Sequence, residues 1–327
     1  MSSVKPILLA LVITGCAIDE QPEGYGADLG TSENPVPMDD SYAVQTRVVL
    51  AHELPQVSAA IAKLTELSQA PARALLAPTG TMPAWVSTLS STLRTNLESY
   101  VNVELDKVKV GTRTLRQATG EIATITQTVM TTFTIESSLS ITPTSVVHSL
   151  MGLNFTPANV DIVIPIGGLK ADGILQRPAA SVGTGGALTI GEQRFSLAFG
   201  NHAWQALNLA STNLLGDDVS LIASVDCGAV GRAVAARCLS SAPTTCVGHA
   251  SEIENACKSQ LSALVEDLRA QVTRVQIADV HLARGTARLV DDGGDGIADR
   301  IVDGTWDAET DVGQGARKTT ATFVAFD

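Results

Sequence analysis

The chain has 327 residues, of which 45% are hydrophobic and 17% are charged, and its formal net charge is -12 at pH 7. This is enough apolar material for one large buried core or two small ones, which argues against a disordered protein. Because so acidic a chain is repelled by nucleic acid and by anionic lipid, we expect neither as a partner.

The first sixteen residues have the arrangement of an export signal. Lys5 precedes an apolar run from Ile7 to Ile13, and small residues lead from there to Cys16. Positive charge, apolar run and small residues in this order are typical of a secretory signal. The run is too short for a membrane-spanning helix, which needs about 20 apolar residues. The pattern also disfavours a cytosolic protein with a chance apolar start.

The four residues Ile13-Thr14-Gly15-Cys16 resemble the lipobox of bacterial lipoproteins. In that family the peptide before the cysteine is removed, and the cysteine then carries a diacylglyceryl group and an acylated N-terminus. The resemblance implies a signal peptide over residues 1–15 and attachment to a membrane through a lipid on Cys16. Ala17 resembles the outer-membrane class, because Asp at that place is the usual inner-membrane retention signal. We therefore expect a bacterial envelope protein, at the outer membrane rather than the inner one.

Residues 16–45 form an acidic segment between the lipid and the domain. They contain seven Asp and Glu residues, three prolines and no Lys or Arg. Such a segment buries little and its charges repel one another, which predicts a disordered tether. A flexible chain of this length would hold the domain roughly 30 Å from the lipid. We expect a single α+β domain over residues 46–327.

Apolar periodicity predicts two helical regions. Within 55–104, apolar residues such as Val57, Ile61 and Leu64 recur every three or four positions, which indicates amphipathic helices. The same period returns within 202–272, where we expect a pair of helices that carries the remaining cysteines.

Alternating periodicity predicts a sheet from residues 108–199 and 275–326. From Glu121 to Thr142 apolar residues take the odd positions while Thr and Ser take most even ones, which predicts one long bent strand or two strands joined without a turn signal. Shorter runs parted by Pro and Gly follow, as in an antiparallel meander. The predicted fold is a curved antiparallel sheet or partial barrel covered by helices.

Four cysteines remain beyond Cys16, namely Cys227, Cys238, Cys246 and Cys257. An even number in an exported protein points to two disulfides, whereas a zinc site prefers closer C-x-x-C pairs. Spacing leaves three connectivities open. Two antiparallel helices would bring Cys227 near Cys257 and Cys238 near Cys246, and we predict that nested pairing.

The Asp- and Gly-rich loop that follows residue 290 leaves two alternatives open. Asp291, Asp295 and Asp299 occupy positions one, five and nine of a calcium-loop pattern. The loop resembles the aspartate loops of dockerin-like and thrombospondin-like repeats, which implies a structural calcium ion. Gly293 and Val302, however, replace two expected ligands. The other alternative, which turn preferences favour, is a Gly/Asp turn between strands.

No local motif for catalysis is present. The sequence lacks a G-x-S-x-G elbow, an H-E-x-x-H pair and a phosphate-binding loop, and its five histidines are scattered. We therefore predict an envelope lipoprotein with a non-catalytic binding or structural role. One alternative is a carrier of a hydrophobic ligand in a sheet-lined cavity at Val129, Phe133 and Ile135. Another is a hydrolase, which needs a His near a Ser, Cys or carboxylate in a cleft.

From about His202 onward, the chain loosely resembles uncharacterised lipoproteins of bacterial cell envelopes. The resemblance implies no activity. The residues that carry it are Asp226-Cys227, Cys257, Asp295-Gly296, Gly304-Thr305-Trp306 and Phe323.

Overall fold

An antiparallel sheet of twelve strands packs with a set of helices in the part of the chain that the structure describes. The structure is a computed structural model that describes residues 34–37, 41–51, 54–77, 84–142, 145–168, 171–241 and 249–327. The predicted α+β class is confirmed, and the large antiparallel sheet is not closed.

Helices and strands are numbered here in chain order. The helices are α1 (Pro55–Gln69), α2 (Pro71–Leu76), α3 (Ala84–Ser87), α4 (Ser91–Leu105), α5 (Leu115–Thr131), α6 (Phe199–Leu215), α7 (Cys227–Ser241) and α8 (Ala250–Thr273). The strands are β1 (Val36–Pro37), β2 (Ser41–Val49), β3 (Lys109–Val110), β4 (Arg113–Thr114), β5 (Thr132–Ile141), β6 (Val146–Phe155), β7 (Ile162–Pro165), β8 (Ala171–Asp172), β9 (Leu175–Gln176), β10 (Ala180–Val182), β11 (Ala187–Ile190), β12 (Gln193–Leu197), β13 (Ile277–Val290), β14 (Ile297–Ala298), β15 (Arg300–Asp311) and β16 (Arg317–Phe326).

The main path of the sheet brings the two ends of the described chain together. Its order is β10-β11-β13-β15-β16-β2-β5-β6-β7, so the last strand, β16, pairs with the early strand β2. Buried and more exposed residues alternate along β2 and β5. Because successive side chains of a strand point to opposite faces, each strand places one set of apolar residues in the core.

A short segment, residues 171–176, fills the gap between β6 and β12. Its first part, β8, pairs with β12, and its last part, β9, pairs with β6. Gly173 between them has φ +75°, and a Cβ there would lie 2.5 Å from the carbonyl oxygen of Arg194. Only glycine fits this left-handed position so close to another backbone. The segment therefore joins the two strands although the sheet itself stays open.

Helices and strands share one continuous hydrophobic core. Helix α5 packs against α1 and α6, and α8 packs against α1, α6 and α7. At the junction with the sheet, the ring of Phe133 lies 4.9 Å from that of Phe199 and 6.4 Å from that of Phe155, measured between centroids. This aromatic cluster joins β5, β6 and α6.

A disulfide links α7 to α8, as predicted. Cys227 and Cys257 are bonded, with their Cα atoms 5.7 Å apart, and both side chains are buried. Of the second predicted pair, Cys246 lies outside the described residues, so its bond to Cys238 stays a prediction.

The long strand predicted from Glu121 is wrong over its first half, because residues up to Thr131 belong to helix α5. The threonines that suggested a wet strand face bond back within the helix. The hydroxyls of Thr124 and Thr128 donate to carbonyls four residues earlier, and three further threonines of the helix do the same. Such bonds let a β-branched, hydroxylated segment stay helical. The predicted alternation holds only from Thr132 onward, in β5.

The segment predicted as a tether overlaps the sheet at its C-terminal end. Strand β2 begins at Ser41 and pairs with both β5 and β16. Tyr42 is fully buried, and its hydroxyl donates to the carbonyl oxygen of Ala298 at 2.9 Å. The boundary expected at residue 45 therefore falls inside a strand, and residues 16–33 lie outside the described residues.

Candidate functional site

A cleft of about 590 Å³ opens beside the first half of α5. Pockets of about 300–1,000 Å³ are typical of sites for small molecules. Four other elements complete its walls: the end of α1, strand β4, the connection between β6 and β7, and the last turn of α6. The lining residues are Ser68, Arg113, Arg116, Gln117, Gly120, Glu121, Thr124, Ile125, Ala158 and Leu214.

Local sequence explains why a helix starts at this cleft. Thr114 accepts from the backbone N–H of Gln117 at 3.3 Å, and the Gln117 side chain accepts from the N–H of Thr114 at 3.0 Å. This reciprocal capping box satisfies two of the free amides at a helix N-terminus. The preceding hairpin, β3 with β4, is held against α6 because the N–H of Thr112 donates to the carbonyl oxygen of Leu215 at 3.3 Å.

Two arginines of the cleft have different partners. The donors of Arg116 are engaged within the fold. Its guanidinium pairs with Asp106 and donates to the carbonyl oxygens of Ser68 and Gln69 at 3.2 and 2.5 Å. Among the described residues, the side chain of Arg113 makes one hydrogen bond, from Nε to a carboxylate oxygen of Glu121 at 3.0 Å. Arg116 therefore holds α1 to α5, while Arg113 keeps free capacity at the cleft.

The connection between β6 and β7, which also lines the cleft, contains a strained turn. Ala158 and Asn159 have φ values of 52° and 61°, although neither is a glycine. The left-handed region is uncommon for side-chain-bearing residues and costs on the order of 1 kcal/mol each. The fold thus maintains an unfavourable backbone where the chain borders the cleft.

The aspartates of the predicted calcium loop bind the loop's own backbone. Asp291 is buried, and its two carboxylate oxygens accept from the N–H groups of Gly294 and Gly296 at 2.5 and 2.8 Å. Asp299 likewise accepts from two N–H groups, and Asp295 from one. These are the side chain to backbone bonds of tight turns.

The aspartate oxygens of this loop accept from backbone amides, and these bonds hold the turn in shape without a cation. Within the described ranges, no group of three or more His, Cys, Asp or Glu residues is placed to hold a metal ion. The hydrogen bonds explain the loop as a turn between strands, and calcium binding by it stays a prediction.

Calcium is expected to leave the stability of the protein unchanged. Thermal unfolding in 1 mM-scale calcium and in excess chelator should give the same midpoint, because backbone amides already hold the aspartates of the loop in the folded state. A midpoint several degrees higher with calcium would contradict the hypothesis of a plain turn. It would support Asp291, Asp295 and Asp299 as calcium ligands.

The Asp291 loop contacts the N-terminal end of the described chain. Strand β1 pairs in parallel with β14, and the N–H of Val36 donates to the carbonyl oxygen of Gly296 at 2.9 Å. The side chain of Asn34 accepts from the N–H of Gly185 at 3.0 Å. The buried carboxylate of Asp291 therefore shapes a surface to which residues 34–37 are bound.

A second group of polar side chains lies in the core between β5, β6 and β12. Nε2 of His148 is 2.7 Å from the hydroxyl of Ser137, and Nδ1 is 2.5 Å from the side-chain carbonyl oxygen of Gln193. Since that oxygen can only accept, Nδ1 carries the proton and Nε2 accepts from Ser137. The bond to Gln193 links β6 to β12 beneath the segment 171–176.

The Ser–His hydrogen bond resembles that of a serine hydrolase, but the serine is not accessible to a substrate. Ser137, His148 and Gln193 are 3%, 3% and 1% exposed. Burial lowers the pKa of His148, so the imidazole stays neutral. A nucleophile needs a cleft in which a substrate can reach it. The geometry supports an internal brace between strands rather than an active site.

The position of the predicted carrier cavity is filled. Val129, Phe133 and Ile135 are each at most 2% exposed and belong to the common core. Phe199 of α6 occupies the space next to Phe133. A helix therefore lies where the carrier hypothesis needs a ligand.

One described stretch, Val219–Arg237, has the length and mean hydropathy, 1.5, of a membrane span. Core helices of globular proteins pass the same test. This stretch includes Cys227, whose disulfide fixes α7 to α8, and its packing favours a core helix.

No protein-family model matches the chain, and no curated protein or solved structure is detectably similar to it. The site must therefore be interpreted from its own residues.

Sequence reasoning missed Arg113, Gly120 and Glu121 because it treated their surroundings as strand. The signal that predicts them is the spacing of Thr114 and Gln117, which is that of a capping box and indicates a helix start. No local sequence pattern predicts that α1, α6 and the β6–β7 connection pack around that helix.

Proposed function

We propose that this protein is an exported lipoprotein of the bacterial cell envelope, anchored through a lipid on Cys16, with a non-catalytic binding or structural role. The observation that carries the proposal is the run Ile13-Thr14-Gly15-Cys16 after an apolar segment. More than one acyl chain on such a cysteine gives stable anchoring, since each buried CH₂ contributes about 0.8 kcal/mol. Ala17 favours the outer membrane.

Two further features support export. The Cys227–Cys257 disulfide belongs to an oxidising compartment, because thiols in the cytosol are kept reduced. The acidic composition of residues 17–45 suits a solvated tether between lipid and domain, although its last residues join the sheet.

A binding or structural role agrees better with the geometry than catalysis. The one Ser–His pair described above is buried, whereas the cleft beside α5 is open and is lined by charged and apolar side chains. Binding sites typically combine an apolar wall with a few polar groups that orient the ligand.

Cys16→Ser is expected to move the protein from the membrane fraction to the soluble fraction, because it removes the atom to which the lipid is attached. Fractionation of cells followed by immunoblotting measures the distribution. The matched control is Cys246→Ser, which makes the same substitution at a cysteine outside the lipobox and should leave the protein membrane-bound.

Mass spectrometry of the N-terminal peptide provides a second readout. The parent chain should begin at an acylated Cys16. If the Cys16→Ser variant stays in the membrane fraction, or if the parent N-terminus is cut elsewhere and lacks acyl chains, the lipoprotein proposal is wrong.

A further inference from the structure

We propose that the cleft beside α5 binds a small organic carboxylate with an apolar body, held by the guanidinium of Arg113. The inference deepens the binding role within the proposed function, but it depends only on residues of the folded part.

The geometry of Arg113 leaves one edge of its guanidinium available. Glu121 accepts from Nε at 3.0 Å, which occupies the side of the group and orients it. The two terminal nitrogens have no hydrogen-bond partner among the described residues. Those nitrogens form a planar fork that matches the two oxygens of a carboxylate. Glu121 is therefore a positioning residue, and Arg113 contacts the ligand.

The charged groups at the cleft form two ion pairs, Arg113 with Glu121 and Arg116 with Asp106, and their charges balance. Recognition of an anion therefore depends on the two unbonded terminal nitrogens of Arg113 and not on a positive potential of the cleft.

Gly120 provides an independent indication that something approaches this wall. It lies inside α5, where glycine is among the poorest helix formers. Packing does not require it, since a Cβ there would lie 3.6 Å from Cβ of Ser68, which is ordinary contact. Glycine in such a place lets a ligand come close to the backbone.

The apolar part of the wall determines the rest of the ligand. Ile125 is buried and Leu214 is half-buried, and both face the cleft together with the methyl group of Ala158. About 590 Å³ is far more than a bare carboxylate needs. The ligand is therefore a carboxylate with a short aliphatic or aromatic body that packs on these side chains.

Isothermal titration of the purified full chain with hexanoate and with phenylacetate tests the proposal. At least one of them should bind, and at least tenfold more tightly than acetate and than its own alcohol, hexan-1-ol or 2-phenylethanol. Arg113→Lys keeps the charge but removes the fork, and it should weaken binding at least tenfold. Arg317→Lys, an exposed arginine on β16, should leave binding unchanged.

Gly120→Ala separates binding from folding because it should change the two in opposite directions. The added methyl group favours the helix and should raise the melting temperature by about 2 °C. The same group narrows the cleft and should weaken carboxylate binding severalfold.

Three results would overturn the proposal: neither carboxylate binds more tightly than its alcohol, Arg113→Lys binds as the parent does, or Gly120→Ala binds as tightly as the parent. Running the titrations on the Cys16→Ser chain keeps them independent of the anchor. A failed titration with normal fractionation rejects the carboxylate site alone, whereas a failed fractionation rejects the anchor alone.

Discussion

Phe133→Ala is expected to lower the free energy of unfolding by about 4 kcal/mol. Phe133 is 1% exposed, and its ring packs against Phe199 and Phe155 where the sheet meets the helices. The substitution removes buried apolar surface and leaves a cavity that the surrounding strands cannot fill by small shifts. Urea denaturation should show a lower midpoint with the same slope.

The matched control is Phe326→Ala on β16. Phe326 is 45% exposed, so the same substitution there should change the free energy of unfolding by no more than about 0.5 kcal/mol. Equal effects at the two positions would mean that the space beside Phe133 is not filled in solution. That result would bring back the carrier hypothesis, which needs a cavity at this place.

Replacing both Cys227 and Cys257 by Ala is expected to lower the free energy of unfolding by about 3 to 4 kcal/mol. The bond closes a sequence separation of 30 residues, and removing it returns that chain entropy to the unfolded state. Alanine avoids a buried hydroxyl at two positions that are each 1% exposed.

Urea denaturation of the parent and the double variant measures this loss. A reducing agent should destabilise the parent by at least as much, because it opens the same bond. If parent and variant unfold at the same urea concentration, the disulfide does not form in the folded protein. The structural support for an oxidising compartment, and so for export, would then be lost.

Helix α5 shows why periodicity alone misassigned part of the chain. Its apolar and hydroxylated residues alternate over a short window, which is the period of a strand, yet its buried residues also recur at helical spacing from Leu115 to Met130. The hydroxyls decided between the two, since they bond to carbonyls one turn earlier. A strand face would have exposed those same groups to water.

The buried brace of Ser137, His148 and Gln193 was equally out of reach of sequence reasoning. A scattered His carries no sign of whether it will meet water or another side chain. Here the curvature of the sheet brings β6 and β12 close enough for His148 to bond Gln193. Burial then lowers the pKa of the imidazole and makes it a neutral structural group.

By itself the sequence led to the α+β class, to the helices within 55–104 and 202–272, and to most strands beyond residue 132, because each depends on local period. It also led to the Cys227–Cys257 pair, which depends on the spacing of two helices. The tertiary structure alone decided that the Asp291 loop satisfies its own amides and binds residues 34–37. It also decided that Ser68, Arg113, Ala158 and Leu214 border one cleft. Those contacts join residues tens of positions apart, and they arise only when the helices bury their apolar faces against the curved sheet.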